Sequence, residues 1–288
     1  MLKKRIIAAL FIQNDILVQS IGFNKYLPVG RPEIAAEAFN AWGVDELFLI
    51  DISASKNKSL INLDIVKKVS SKCLVPLTVG GGITNIQQIG ELLKAGADKI
   101  CLNQSLNQNL DCLIEGRKVF GQQCIVASID SLKTKDDYKV FDYKSGKVLD
   151  KSILKTVAEY ETAGAGEIFL NDVERDGLRL GYNIELIDKV SKKVSIPVVC
   201  SGGAGNPSHI QDVLQKTNVS GASASNYFHF TEHSITIAKA CVDKVLPIRQ
   251  DIKFSYNQMS INYDGRVNRL SDNKLKNLLY KKIKIEKI

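Results

Sequence analysis

The chain has 288 residues, 44% of them hydrophobic, which is enough apolar content for one large α/β domain or two ordinary ones. Residues 245–288 contain ten Lys and Arg against four acidic residues, so +6 of the formal net charge of +8 belongs to this C-terminal part and only +2 to the rest. This distribution excludes a nucleic-acid-binding body, because the rest of the chain is nearly neutral.

The composition also argues against a membrane, secreted or metal-binding protein. No stretch approaches the ~18 consecutive apolar residues that a membrane span needs. The apolar run at residues 6–12 is too short for a signal peptide and lacks a small-residue cleavage pattern. The six cysteines have no CxxC spacing, and the three histidines have no HxxxH or HExxH spacing. We therefore expect a cytoplasmic protein without disulfides, metal or cofactor.

Strands and helices are predicted to alternate along the first 243 residues. Short β-branched runs predict eight strands, near residues 5–11, 46–52, 75–80, 97–102, 124–130, 166–171, 196–201 and 219–225. Apolar residues follow the i, i+3, i+4 spacing of helices in segments such as 32–43, 85–96, 153–164 and 207–218. Eight βα units predict a (β/α)8 TIM barrel over residues 1–243, followed by a basic extension at 244–288.

Two long loops follow the first and fifth predicted strands, at residues 12–31 and 131–150. The second loop alternates apolar and polar residues around a Ser-Gly pair, which predicts a small hairpin. The first loop has few turn residues besides Gly22, Pro28 and Gly30. In the extension, residues 274–288 could form a basic amphipathic helix, and a solvated tail is the alternative.

The two halves of the predicted barrel repeat each other. GVDELFLIDI at residues 43–52 returns as GAGEIFLNDV at 164–173. PLTVGGGITN at 76–85 returns as PVVCSGGAGN at 197–206, also at an offset of 121 residues. The first strands of the halves align as well, IIAALF with IVASID, so that Phe11 corresponds to Asp130. This two-fold repeat favours one closed barrel over two separate domains.

Glycine-rich runs end the third and seventh predicted strands, and they predict two phosphate sites. Glycine lets backbone N–H groups approach a phosphate closely, and the following helix N-terminus adds a favourable dipole. The residues predicted to form these sites are Gly81, Gly82, Asn103 and Gln104 for the first cradle, and Gly202, Gly203, Ala224 and Ser225 for the second cradle. Because the cradles lie on opposite sides of the barrel mouth, the pattern favours a ligand with a phosphate at each end.

Charged side chains are predicted at both ends of the barrel. Asp130 ends the fifth strand, where a carboxylate can point into the mouth and move protons. Asp51 and Asp172 end the second and sixth strands, and capping of the next helix is the alternative for both. The charges near the N-terminal strand ends are Arg5, Glu46, Lys99 and Glu167. These four predict either a structural ring of ion pairs or a charged gate on a passage along the barrel axis.

Residues 1–243 resemble the cyclase subunit of imidazole glycerol phosphate synthase. The matching segments are KRIIAAL, DELFLIDI, VGGGI, GADKICLN, ASID, GAGEIFLNDVERDG, SGGAG and SNYFHF. The resemblance implies a (β/α)8 barrel that accepts ammonia from a glutaminase subunit docked at its N-terminal face. It also implies that ammonia passes through the barrel to an aminated ribonucleotide bearing two phosphates.

The resemblance implies a role for each matching residue. The four N-terminal charges would form the ammonia gate, Asp98 would face the glutaminase, and Asp130 would be one of two catalytic carboxylates. The residues that it assigns to phosphate binding are Gly82 and Asn103 at one end of the ligand and Gly177, Gly203 and Ser225 at the other, and Asp176 is a further candidate for substrate binding.

The second catalytic carboxylate of that family is missing here, because Phe11 stands at its position, and Gln19 replaces a loop lysine. Phenylalanine cannot transfer a proton, and losing one acid of such a pair costs orders of magnitude in rate. This combination resembles a paralogous branch associated with surface-polysaccharide synthesis. There, a cyclase-like barrel and a glutaminase-like subunit supply ammonia to a sugar amidotransferase that forms an acetamidino group, and the basic extension would suit docking onto that third protein.

Two alternatives stay open. The chain could be a working cyclase of histidine biosynthesis that recruits Asp176 or Asp51 as its second acid. It could also be a non-catalytic scaffold that keeps the two cradles to bind a phosphate-bearing metabolite.

Overall fold

The computed structural model describes residues 3–135, 137–249 and 261–276. The strands in these ranges are β1 Arg5–Gln13, β2 Ile16–Ile21, β3 Lys25–Gly30, β4 Glu46–Asp51, β5 Leu77–Gly80, β6 Lys99–Leu102, β7 Ile125–Lys133, β8 Tyr138–Asp142, β9 Lys147–Ser152, β10 Glu167–Asp172, β11 Val198–Ser201 and β12 Gly221–Ala224. The α-helices are α1 Pro32–Ala41, α2 Ala54–Asn57, α3 Leu63–Ser70, α4 Ile86–Lys94, α5 Gln104–Gln108, α6 Asp111–Phe120, α7 Ile153–Ala163, α8 Ile184–Lys193, α9 Pro207–Lys216, α10 Asn226–His229, α11 Ser234–Val242 and α12 Asp272–Lys276. Within these ranges, no helix has both the length and the apolar character that crossing a bilayer requires.

Eight parallel strands close into a barrel, which confirms the predicted (β/α)8 fold. The hydrogen-bonded order is β1, β4, β5, β6, β7, β10, β11 and β12, and β12 pairs with β1 to close the ring. All eight predicted strands form, because each buries one face inside the barrel and the other under helices, which suits continuous apolar runs. In this ring β1 lies opposite β7, β4 opposite β10, and β6 opposite β12.

Both long loops fold into hairpins at the barrel mouth. β8 and β9 pair in antiparallel fashion, which confirms the hairpin predicted for the second loop. β2 and β3 also pair in antiparallel fashion, although the sequence pattern predicted no hairpin there. The turn that leads into β2 uses Asn14 at φ +50° and Asp15 at φ +65°. Asn and Asp tolerate this left-handed conformation, so this turn between β1 and β2 forms without the glycine that usually signals it, whereas the turn between β2 and β3 uses Gly22 at φ +59° and Phe23 at φ +54°.

Side chains inside the barrel are arranged in layers, each with four residues from alternate strands. The strand registers place the lowest layer of β4, β6, β10 and β12 at Glu46, Lys99, Glu167 and Gly221. Two residues further along the same strands, the next layer is Phe48, Cys101, Phe169 and Ser223. The third layer, at the mouth, is Ile50, Asn103, Asn171 and Ser225.

The described part of the extension contacts both ends of the barrel. Lys4, which precedes β1, forms a β-bridge with Ile248, whose side chain is buried. Gly265 lies against Pro207 and the Tyr227 hydroxyl, where α9 and α10 begin, and an added Cβ would be only 2.7 Å from that hydroxyl. Of the amphipathic helix predicted for residues 274–288, only the first three positions fall in α12, and the rest lie outside the described residues.

Candidate active site

The C-terminal mouth of the barrel contains a cavity, at the end where barrels of this kind bind small molecules. Its lining includes Asp130, the first cradle and three aromatic residues of the hairpins, Phe23, Tyr26 and Tyr143. The Tyr26 and Tyr143 hydroxyls are 3.3 Å apart, so the hairpins of the two halves meet above the cavity. The glycines of the second cradle do not line it.

Asp130 is buried at the base of this cavity and is held by two amides. Asn103 donates to Oδ2 and Asn171 donates to Oδ1, each at 2.9 Å. Burial raises the pKa of Asp130 to about 6, although both hydrogen bonds favour the ionised form and lower it. A carboxyl group that titrates near neutral pH can both accept and donate a proton, as acid–base chemistry requires.

Changing Asn171 to alanine is expected to raise the pKa of Asp130 by about one to two units, because a hydrogen bond to a charged group is worth about 1.5–3 kcal/mol. Carboxyl-carbon NMR across a pH titration would measure this shift, with Asp130→Asn identifying the signal. Because the folded chain binds this proton more tightly than the unfolded chain, the free energy of unfolding should fall as the pH rises from about 4 through 6. An unchanged pKa in the alanine variant would contradict this description of the site.

Phe11 faces Asp130 across the mouth, since β1 and β7 are opposite strands. Its side chain is 6% exposed and belongs to the apolar cluster that fills the barrel, as do Val18, Ile50 and Tyr26. The position where the resembling family has an acid therefore belongs to the core of this barrel. Gln19, on β2, is half-buried and is paired with a β3 residue.

The other acids near the mouth already have structural partners. Asp51 Oδ1 accepts hydrogen bonds from the Ser53 hydroxyl at 2.7 Å and from the Ser53 and Ala54 amides at 2.8 and 3.1 Å, which caps the start of α2. Asp172 accepts from the Glu174 amide at 3.1 Å and from Asn183 at 2.9 Å. The contacts of Asp51 fit the helix-capping alternative, whereas those of Asp172 order the loop that follows β10.

Asp176 joins the first hairpin to the loop that follows β10. Its Oδ2 accepts from the Ser20 hydroxyl at 2.5 Å and from the Phe23 amide at 3.3 Å, and its carbonyl accepts from the Gly22 amide. Burial raises the pKa of this carboxyl group. Asp176 does not line the cavity. Its described contacts hold the first hairpin against the loop that follows β10.

The first cradle has the close backbone packing that its glycines predict. Gly81 and Gly82 have φ values of +131° and +71°, and a Cβ on Gly82 would lie 1.8 Å from the Ser59 carbonyl oxygen. Asn103 and Gln104 follow β6 at the same side of the cavity, and the Gln104 amide donates to the Asn103 side-chain oxygen at 3.1 Å. The four residues predicted for this cradle are therefore brought together.

The second cradle is equally tight. Gly202 and Gly203 have φ values near +100°, and a Cβ on Gly203 would lie 2.2 Å from the Gly181 carbonyl oxygen. Gly177, at φ +70°, lies against the Ser20 carbonyl. The buried Ser225 hydroxyl has no hydrogen-bond partner among the residues that the structure describes. Buried hydroxyls are usually satisfied, so this one is available to a ligand.

Ala224 ends β12 with its side chain packed in the shell between strands and helices. Only its backbone can therefore face the second cradle.

The four predicted N-terminal charges form one closed set of ion pairs, the charged ring (Arg5, Glu46, Lys99 and Glu167). Arg5 donates to Glu46 at 2.6 Å and also to Glu167. Lys99 contacts the same two carboxylates at 2.8 and 2.9 Å. Burial alone would lower the pKa of Lys99, but the two carboxylates outweigh it and raise the pKa, so Lys99 stays charged. The geometry fits the predicted ion-pair ring at the bottom of the barrel.

Asp98 is exposed on the same N-terminal face as the charged ring. Its Oδ2 accepts a hydrogen bond from the Leu77 amide at 2.8 Å, at the start of β5. This bond fixes the side chain on the N-terminal face of the barrel.

Sequence reasoning missed Asn171 and the aromatic residues of the hairpins. Asn171 is the repeat partner of Ile50, so a polar residue replacing an apolar twin at an inward-facing strand end was a usable signal. Tyr26 and Tyr143 had no such signal, because their meeting depends on how the two hairpins fold.

Comparison with known proteins places this site in context. A family model described as "Histidine biosynthesis protein" matches residues 5–234. The chain is 41% identical over 267 residues to the putative imidazole glycerol phosphate synthase subunit hisF2 of Vibrio vulnificus strain YJ016, covering 92% of this chain and 98% of that protein. It is 38% identical to the imidazole glycerol phosphate synthase subunits HisF of Bacillus cereus strain G9842, over 83% of this chain and 95% of the relative, and of Clostridium botulinum strain Okra, with the same coverage.

Proposed function

The chain belongs to the histidine biosynthesis protein family, as a relative of the imidazole glycerol phosphate synthase subunit HisF, and from this premise we propose that it conducts ammonia within a glutamine-dependent complex. In this proposal a glutaminase subunit docks on the N-terminal face, near Asp98. Ammonia enters through the charged ring, passes along the barrel axis and leaves at the mouth. Its acceptor is a sugar held by a separate amidotransferase, which forms an acetamidino group.

The observation that carries this proposal is the contrast between the two ends of the barrel. At the bottom, all four charges of the charged ring are present and paired. At the mouth, Phe11 packs into the apolar cluster where an acid would have to stand opposite Asp130. The entry side therefore fits ammonia transfer. The mouth, in contrast, lacks the second group that would transfer protons while the cyclase forms the imidazole ring.

The C-terminal extension supports the same proposal. The alignment with the Vibrio vulnificus hisF2 relative spans 267 residues, more than the 243 of the barrel, so it reaches into the extension. The alignments with the two HisF relatives span 240 and 241 residues. The net positive charge of this chain's own extension suits contact with a third protein at the barrel surface.

A working cyclase is the second candidate, and the two cradles favour it. Both keep their glycines, and Ser225 presents a hydroxyl without a partner in the described chain. A ligand with two phosphates would bridge them, as the cyclase substrate would. A scaffold that only binds a phosphate-bearing metabolite would use the same features.

We expect the gene not to restore growth without histidine in a bacterial strain that lacks its imidazole glycerol phosphate synthase cyclase subunit. The missing proton-transfer group opposite Asp130 is the reason. The Bacillus cereus HisF relative, expressed in the same strain, provides the matched control. Growth supported by this chain at the control's rate would overturn the proposal in favour of the cyclase.

A pull-down from the native host separates the ammonia conductor from the scaffold. The tagged full chain should bring down a glutaminase and raise its glutamate release from glutamine. A chain that retains no glutaminase, or that leaves its rate unchanged, would support the scaffold instead.

A further inference from the structure

Two phenylalanine rings meet at the axis of the barrel, one layer above the charged ring. Phe48 and Phe169 are repeat partners on the opposite strands β4 and β10, and each is 0% exposed. Their ring centroids are 4.5 Å apart at an interplanar angle of 29°. This is the close end of the range for stacked aromatic pairs, so no molecule fits between the rings. Anything moving along the axis must pass beside them.

The other two members of this layer are small. Cys101 on β6 and Ser223 on β12 face each other across the axis, at right angles to the stacked pair. The phenylalanines therefore fill one diagonal of the layer. Along the other diagonal, the small side chains of Cys101 and Ser223 leave room for a small molecule. Burial raises the pKa of the Cys101 thiol well above its ordinary value, so that side of the layer is neutral.

Ser223 presents a hydroxyl into this layer. Its residue is paired in register with Ile7, whose side chain lies inside the barrel, so Ser223 points inward as well. It is 0% exposed, and nothing in the described part of the chain forms a hydrogen bond with its Oγ. Buried hydroxyls are rarely left without a partner, and such a group favours a small polar ligand.

We propose that this layer (Phe48, Cys101, Phe169 and Ser223), the filter layer, selects neutral ammonia, which passes beside the stacked rings while hydrogen-bonded to the Ser223 hydroxyl. The inference rests on the proposed ammonia transfer. An ammonium ion would lose its hydration in the narrow space beside the stacked rings, next to a neutral thiol, at a high cost, whereas ammonia needs one hydrogen bond. The charged ring below and the filter layer above thus act in series on the same small molecule.

The test uses an extract of the native host from which this gene has been deleted. Purified full-length chain is added with glutamine carrying a heavy-nitrogen amide and with unlabelled ammonium chloride. The product is defined as the mass-spectrometric peak that the wild-type chain restores, and the labelled share of its nitrogen is measured. A peak that is not restored, or a low labelled share with the wild-type chain, would refute the proposed function rather than the filter.

Three substitutions of Ser223 distinguish the effect of its hydroxyl group from the effect of its side-chain volume. Ser223→Thr and Ser223→Val add the same volume, but only threonine keeps the hydroxyl. We expect threonine to retain the labelled share, and valine and alanine to lower it by up to about tenfold, the worth of one hydrogen bond. Ser223→Ala cannot overpack the barrel, so it remains informative if the valine variant folds poorly.

The contrary outcomes are distinct. If threonine and valine both lower the labelled share while alanine leaves it unchanged, only space matters and the hydrogen-bond role is wrong. If none of the three changes it, ammonia does not pass this layer. Thermal melting shows whether each variant is folded, and stimulation of the glutaminase shows whether it still docks.

Discussion

Changing Phe11 to aspartate is expected to raise cyclase turnover by about 100- to 10,000-fold, the range that one positioned acid or base supplies. The new carboxyl group would stand opposite Asp130 across the mouth, and both positions line the cavity. The assay follows imidazole glycerol phosphate formed from the aminated bisphosphate ribonucleotide, with ammonium chloride as the nitrogen source. Supplying ammonia from solution bypasses the glutaminase and tests the mouth alone.

Phe11→Asn is the matched control, because it has the size and polarity of aspartate but transfers no proton. We expect it to leave turnover at the wild-type level. An equal gain in both variants would show that the bulk of Phe11, rather than the missing acid, limits the reaction. No gain in either would show that further groups at the mouth have changed.

Replacing Lys239 by methionine is expected to lower the free energy of unfolding by about 3–5 kcal/mol. Lys239 on α11 contacts Asp45, just before β4, at 2.6 Å, and both side chains are only 2% exposed. Asp45 also accepts a hydrogen bond from the Ile6 amide at 2.7 Å. Removing the ammonium group leaves a buried carboxylate without its ion-pair partner, and that desolvated charge is the source of the loss. Urea unfolding of the two full-length chains measures the difference.

The control for this prediction is an exposed ion pair on the barrel surface. Lys189 and Glu185 are one helical turn apart on α8, at 2.7 Å, with both side chains more than half exposed. Lys189→Met should change the free energy of unfolding by less than about 1 kcal/mol. A loss at Lys239 as small as this one would mean that the buried pair does not anchor α11 to the barrel.

The barrel was predictable from the sequence because its strands are buried on both faces. Continuous apolar runs between helical segments, repeated at a fixed offset, leave few other arrangements. The turn between β1 and β2 was not predictable from glycine and proline, because Asn14 and Asp15 form it, whereas the turn between β2 and β3 uses Gly22 and Phe23. The hydrogen bond between Ser20 of the β2–β3 hairpin and Asp176 joins residues that are far apart in the chain, and local sequence patterns do not encode such contacts.

The candidate site was only partly predictable for a similar reason. Glycine runs and strand-end acids can be read from the sequence, and the repeat singled out Phe11 without any second protein for comparison. The amides that hold Asp130 and the stacked pair of Phe48 and Phe169 come from different strands. Their meeting depends on the stagger between strands, which is fixed only when the barrel closes.

That closure has a consequence for how the chain folds. β1 completes the ring by pairing with β12, and the partners Arg5 and Gly221 are 216 positions apart in the sequence. A ribosome must therefore synthesise almost the entire barrel before β1 can pair with β12. Contacts of such high sequence separation form slowly, and an unpaired strand edge is a template for pairing with other chains. The seam between the first and last strands is thus the place where a nascent chain is most open to misassembly.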